Sequence, residues 1–292
     1  MNILVTGGAG FIGTNLIKKL LKDDNNVVCS IDNYECSDRK NEQDGCIYYN
    51  FDLCDESFFI HKKFDIVFHL AAQARIQPSI KNPTRTLKNN FLSTLSILEN
   101  SRKNDIPVIY SGSSSFHKGI FKSPYAWSKF CGEQLCMLYT SIYGLKTMIA
   151  RFYNVYGPYQ IESGEWSTVL GRFEKQYRDK KPLTIVGDGK QIRDFTHVND
   201  IVDALIKMKN LMIKTIEENN PLQSPVFELG RGKNHSINEV ADMFGKEYPK
   251  KYINKRPGEY DYTLADNKKA KKILDWNPKL NLKDYIKQKI GS

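Results

Sequence analysis

A phenol and an ammonium stand four residues apart in Tyr125-Ala126-Trp127-Ser128-Lys129. On a helix, residues at that spacing share a face. A cation held beside a phenol stabilises the phenolate, so Tyr125 could exchange protons closer to neutrality than an ordinary pKa of about 10 permits. The same spacing fits an exposed helical pair without chemistry, and its meaning depends on what else the chain brings to the site.

A second group of residues is suited to a phosphate. Gly7, Gly10 and Gly13 follow the short apolar run Ile3-Leu4-Val5 and open a stretch where Phe11, Leu16, Ile17, Leu20 and Leu21 recur at helical spacing. This predicts strand, tight turn and helix. Small residues in such a turn let the backbone approach a pyrophosphate, with the helix N-terminus facing its charge. Ile31-Asp32-Asn33 ends the next apolar run, about 20 residues further on, where a carboxylate can bind both ribose hydroxyls of NAD and repel a 2′-phosphate. Arg39 and Lys40 follow closely and are the cations that could reverse that preference. Asp52-Leu53, after a third apolar run, could reach the adenine.

These residues need a scaffold, and the rest of the chain supplies its outline. Apolar runs at 27–31, 47–51, 66–70, 108–110 and 147–150 are interleaved, in their later part, with helical stretches at 84–102 and 125–143. Strands alternating with helices predict an α/β fold: a Rossmann-like, doubly wound parallel sheet. From about residue 157 the pattern loosens, with helical segments near 168–178, 199–209, 236–244 and 265–274, strands at 183–186 and 226–229, and a loop by composition at 219–225. The expected division is an NAD-binding domain over 1–156 and a smaller C-terminal α/β substrate lobe over 157–292, with the chain interleaving between the two.

The chain has 292 residues, 40% hydrophobic and 12% aromatic, which is enough for a large core. Its charge of +10 includes Lys268-Lys269-Ala270-Lys271-Lys272. That run could serve a nucleic-acid surface or attract small anions, but such runs on C-terminal helices are usually solvated faces, so no nucleic-acid partner is expected and the charge does not decide the function. The start carries no basic, apolar leader and no run reaches membrane-span length, so neither export nor a membrane is expected. The six cysteines show no CxxC spacing. Reduced thiols, a cytoplasmic location and no metal site are expected.

Taken in order, the segments resemble the extended short-chain dehydrogenases/reductases, and within them the NAD-dependent nucleotide-sugar epimerase/dehydratase family. The resemblance rests on residues 6–13, His69-Leu70-Ala71-Ala72, Asn90 with Thr94, Ser123-Pro124-Tyr125 through Lys129, residues 151–158, Gly187-Asp188-Gly189, residues 193–198, Arg256-Pro257-Gly258-Glu259 and Leu274-Asp275-Trp276-Asn277-Pro278. It implies that Tyr125 is the acid/base at a sugar hydroxyl. Lys129 would bind the nicotinamide ribose and lower the tyrosine pKa, and Ser113, or failing it Ser114, would hydrogen-bond the reacting oxygen. NAD would lie along Gly7, Gly10, Phe11, Ile12, Gly13, Asp32, Asn33, Asp52, Leu53, Leu70, Ala71, Ala72 and Asn90. Gln73, Ser114, Asn154, Leu183, Arg193, Arg256 and Glu259 would face the substrate. In that set the arginines would hold a diphosphate through their planar forks, and the 183–186 strand would edge a uracil. Arg193-Asp194 could instead form an internal ion pair.

Two departures stand out. Ser113 and Tyr125 are only twelve residues apart, so one wall of the sugar site should be more open or come from elsewhere. His117 takes the place of the family's usual tyrosine and reads as a surface or packing residue. Gly112-Ser113-Ser114 lacks the carboxylates that family dehydratases and decarboxylases carry there. That leaves a nucleotide-sugar 4-epimerase using bound NAD, with UDP-glucose/galactose or their N-acetylated forms as substrates. A 4-keto-6-deoxy nucleotide-sugar reductase and a non-catalytic NAD-binding or RNA-associated protein are the alternatives. The resemblance further implies a homodimer built on the helix bearing Tyr125 and the 84–102 stretch.

Overall fold

Seven parallel strands form the central sheet of the computed structural model, which describes residues 1–55, 57–60, 63–221 and 223–291. Strands β1 (Asn2–Thr6), β2 (Val27–Asp32), β3 (Cys46–Asn50), β4 (Ile66–His69), β5 (Val108–Ser113) and β6 (Thr147–Phe152) lie in the order β3-β2-β1-β4-β5-β6. The strand Val226–Leu229 extends the sheet beyond β6. The order reverses between β1 and β4, the switch point at which doubly wound sheets open a crevice. All of β4 and β5 is buried, which fits a sheet covered on both faces.

Helix α1 (Phe11–Leu20) follows β1; α2 (Ile76–Lys81) and α3 (Pro83–Asn104) follow β4; α4 (Phe116–Gly119) and α5 (Pro124–Tyr143) follow β5. The two long helices carry matching start and stop signals. Asn82 accepts a hydrogen bond from Arg85 N at the head of α3, and Ser123 Oγ accepts one from Ala126 N at the head of α5. A proline opens the first turn of each, where its missing N–H costs nothing. Gly144, at φ +68°, ends α5 in the left-handed conformation that glycine adopts without a Cβ penalty. Asn90 Nδ2 donates to Ser128 Oγ at 2.8 Å and Tyr139 donates to Glu99 at 2.5 Å, tying α3 to α5. The phenol at 125 is thereby set on a rigid helix pair.

The chain crosses the division expected at residue 156. The helix Val198–Glu217 packs Val198, Ile201, Leu205 and Met208 into one core with Leu16, Ile17 and Leu20 of α1. Together with the strand Val226–Leu229 it completes the N-terminal layer. That layer needs both pieces, since β6 would otherwise leave an open edge and α1 an uncovered apolar stripe. The helix also runs two turns past the 199–209 expected for it. A second core, with Leu4, Val67, Ile97, Val108 and Tyr139, packs α3 and α5 on the sheet, and a third gathers Tyr156, Leu170, Phe173, Ile185, Phe195 and Val240 into a smaller lobe. In this half a helix at Leu282–Ile290 was not foreseen, and the one expected from 265 begins only at Lys268. Leu222, within the expected 219–225 loop, lies outside the described residues. Among the described residues no helix is long and apolar enough to cross a membrane.

Candidate active site

A cavity of about 530 Å³ opens at the C-terminal ends of β1, β2, β4 and β5 and continues into the smaller lobe. The glycine turn forms its floor. Gly7 sits at φ +70°, and a Cβ on it would come within 2.9 Å of Ala71 backbone atoms. A Cβ on Gly13 would lie 2.3 Å from the Gly7 carbonyl oxygen and 2.7 Å from Gly8 Cα. Backbone meets backbone here, which no side-chain movement can relieve. Gly10 caps α1 without a side-chain bond, and the first turn holds no acidic residue, so its N–H groups are turned to an anion. Gly13→Ala should lower NAD content at least about tenfold and depress the melting temperature, as read by nucleotide extraction and calorimetry.

Asp32 closes β2 with its carboxylate already oriented. Ala9 N donates to one oxygen at 3.0 Å, while Tyr34 N and Ser37 Oγ donate to the other at 2.9 and 2.8 Å. The two nearby cations are turned to other partners. Arg39 stacks on Tyr34 and pairs with Glu42, and Lys40 pairs with Asp38 at 2.9 Å. Asn33, Asp52 and Leu53 line the same end, with Phe11, Ile12, Leu70, Ala71 and Ala72 beside the turn. Thr6 Oγ1 accepts from the N–H groups of Leu70 and Ala71, both at 3.1 Å, and contacts His69 Nδ1 at 2.8 Å. Burial, with Lys129 nearby, holds the His69 pKa down to about 3, so this imidazole is a neutral spacer and not an acid. Asn90 accepts from Gln73 N at 2.8 Å and fixes the next stretch of wall. The donor and carbonyl ends of the Gln73 amide are engaged by Glu35 and Thr86.

Ser113 and Tyr125 are brought together, with 3.3 Å between their hydroxyl oxygens. Ser115 N and Oγ both donate to Ser113 Oγ, at 3.2 and 2.8 Å. Ser114 also faces the cavity. The expected coupling of lysine to tyrosine takes another form. Lys129 shares the helix face, but its ammonium reaches across to β5, donating to Ser111 Oγ at 3.2 Å and lying 4.3 Å from the Tyr110 ring centre. Burial, only partly offset by Glu133, lowers the Lys129 pKa to about 8. Burial raises the Tyr125 phenol above its usual range, and the Ser113 hydroxyl and Arg75 oppose that rise. In the protein alone, then, the local cation acting on the phenol is Arg75.

At the far end, Arg193 donates to Ile192 O at 3.0 Å and to the Tyr260 carbonyl. It is not paired with its neighbour Asp194, whose carboxylate accepts from the backbone N–H groups of Arg231, Gly232 and Ala265. Arg256 and Glu259 line the cavity beside it. Asn154, at φ +27°, donates to Asp194 O at 2.9 Å and Thr263 Oγ1 at 3.2 Å. Such strain in a non-glycine residue is tolerated where the surroundings over-determine it, often at functional sites. Leu183 is a correction: it is fully buried in the lobe core, and Thr184 and Val186 face the cavity instead. Side chains alternate along a strand, and hydrophobicity alone does not tell which set turns inward.

Among the cavity residues that sequence reasoning missed are Arg75, Arg172 and Tyr260. Arg75 donates to Ala74 O and Trp166 O, both at 2.8 Å. Arg172 holds Ser167 Oγ at 2.8 Å. Tyr260 lines the same cavity as Ser113 and Tyr125. Only the type of Arg75, a cation following the 69–72 segment, offered a signal in the sequence. His117 lies outside the cavity lining, half exposed and paired with Glu228 of the strand Val226–Leu229.

The sequence model described as the NAD dependent epimerase/dehydratase family matches residues 3–212. The chain belongs to that family. Among similar epimerase/dehydratase proteins, the UDP-glucuronate 4-epimerase of Thermodesulfobacterium geofontis is 31% identical over 320 residues, covering 99% of this chain and 94% of its own length. The solved structure of Thermotoga maritima UDP-glucose 4-epimerase with UDP-glucose superposes with a TM-score of 0.87 at 29% identity, covering 100% and 98% of the two chains. Bacillus cereus UDP-glucuronic acid 4-epimerase with UDP-glucuronic acid and NAD gives 0.85 at 28%, with the same coverage. The family is NAD-dependent, and the glycine turn, open helix N-terminus and oriented Asp32 of this chain fit that cofactor.

Proposed function

We propose that this protein is a UDP-hexose 4-epimerase. The observation that carries the reading is the Tyr125 hydroxyl, 3.3 Å from Ser113, midway along a cavity with a dinucleotide turn at one end and Arg193 and Arg256 at the other. Tyr125 would take the proton of the C4 hydroxyl and return it, while Ser113 holds the oxygen. Bound NAD would supply the redox chemistry, taking the hydrogen from C4 and giving it back to the opposite face. Lys129 would hold the nicotinamide ribose, and Asp32 the adenosine ribose. Arg193 and Arg256 would anchor the diphosphate while the hexose turns. The names of the similar proteins support this class of substrate.

Residues 1–156, completed by the helix Val198–Glu217 and the strand Val226–Leu229, would be the NAD-binding body, and the remainder the sugar-nucleotide lobe. The purified protein should carry extractable NAD and interconvert UDP-hexose epimers without added reductant. Turnover only of a keto sugar, with stoichiometric NADH or NADPH, would replace this reading by the 4-ketoreductase. Six free thiols among the described residues support a reducing, cytoplasmic setting. Phe91, Leu138 and Ile142 leave apolar surface on α3 and α5, Ile142 being 64% exposed, which supports a homodimer across these helices. Leu138→Asp should shift sedimentation from dimer to monomer; a monomeric wild type would remove the dimer.

A further inference from the structure

The stretch from Ser113 to Tyr125 is short and folds into the single turn of α4, so it leaves one side of the catalytic pair uncovered. Tyr260 covers it. A Cβ at Gly119 would lie 2.1 Å from Tyr260 Cε1, so the ring occupies the place where a side chain of this segment would stand. The ring is nearly fully buried, Lys122 lies 6.0 Å from its centre, and its hydroxyl is 3.4 Å from Gly119 O. The hydroxyls of Ser115 and Ser123 also face that oxygen, and Ser123 is already engaged as the cap of α5. Ser115 Oγ donates to Ser113 Oγ at 2.8 Å, and Ser113 meets Tyr125 at 3.3 Å. Ser115, Ser113 and Tyr125 are joined in a row by hydrogen bonds, the Tyr260 hydroxyl lies beside its Ser115 end, and all four residues line the cavity.

We propose that Tyr260 is a positioning residue for the Tyr125 chemistry, replacing the shortened segment as a wall of the sugar pocket and fixing Ser113 through Ser115. The inference rests on the epimerase reading for its sugar, but not for its geometry. When Tyr125 is a phenolate, Ser113 must turn its proton toward it. Ser115 can then donate to Ser113, and Tyr260 can turn its proton from the Gly119 carbonyl, 3.4 Å away, to Ser115, a chain in which each bond strengthens the next. Burial and the neighbouring Tyr125 push the Tyr260 phenol up to about 12, so it remains the neutral donor while Tyr125 titrates. The other ionisable groups around Tyr125 are Arg75 from the segment before α2, Tyr110 from β5 and Lys129 from its own helix. None of them belongs to the row.

The test is an ultraviolet titration of phenolate in the NAD-loaded protein without sugar, with Tyr125→Phe subtracted to isolate Tyr125. Tyr260→Phe keeps the ring and loses the donor, and should move the Tyr125 titration upward by about half a pH unit or more. Ser115→Ala cuts the same row at another hydroxyl and should move it in the same direction. Tyr260→Ala opens the wall and should raise KM for a UDP-hexose about tenfold, with a smaller effect on kcat. A merely structural tyrosine would change the melting temperature and leave the titration where it was. Wild-type titrations in both Tyr260→Phe and Ser115→Ala would overturn the proposal. If the titration moves but no UDP-hexose is turned over by the wild type, the epimerase reading falls and the positioning role stands.

Discussion

Tyr125→Phe should retain its NAD and lose turnover by about 10³-fold, within the range expected when a positioned acid/base is removed. The substitution deletes one oxygen from a partly buried ring. It leaves the glycine turn and the Asp32 contacts untouched, so cofactor content and fold should be those of the wild type. The two measurements separate binding from chemistry: nucleotide extraction for the first, steady-state epimerisation for the second. A variant that keeps near-normal kcat would remove Tyr125 from the acid/base role and with it the observation on which the proposed function rests.

Lys129→Met should cost activity about 10²-fold or more and yet make the cofactor-free protein more stable at neutral pH. Lys129 is buried with its pKa lowered to about 8 from 10.5. A tenfold loss of proton affinity is worth about 1.4 kcal/mol, so the buried charge costs about 3 kcal/mol below pH 8. Between about pH 8 and 10.5 the unfolded chain holds a proton that the folded chain has released, so wild-type stability rises with pH across that window. Methionine fills similar volume without charge, and after the loss of the bond to Ser111 a net gain of about 1–2 kcal/mol is expected. The melting-temperature gap should narrow as pH rises through the window. An unchanged gap would mean that the ammonium is better solvated than its surroundings indicate. Natural sites trade stability for function in this way, retaining a destabilising charge where the chemistry needs one.

The sheet was legible because buried parallel strands and covering helices leave strong local signals. The glycines, Asp32, Ser113, Tyr125 and Lys129 all sit on those elements near strand ends or helix starts. The helix at Leu282–Ile290 was harder: only Leu282, Ile286 and Ile290 mark its face, in a stretch otherwise crowded with lysine. The extension to Glu217 was missed because a mixed lysine and apolar run continues past the expected end without a glycine or proline to stop it.

The sequence by itself determined where the candidate groups stand: a glycine turn after the first strand, a carboxylate at the end of the second, a serine at the end of the fifth, and a tyrosine and lysine on one helix face. Those depend on local rules, namely a glycine's freedom, a strand's end and a helix's period. Only the tertiary structure decided which neighbours set the behaviour of those groups. It sent the Lys129 ammonium to Ser111, set Arg75 beside the phenol, turned Leu183 into the core and brought Tyr260 from 135 residues beyond Tyr125 into the space above Gly119. Such contacts depend on how two packed bodies meet, and no periodicity along the chain records where their surfaces will touch.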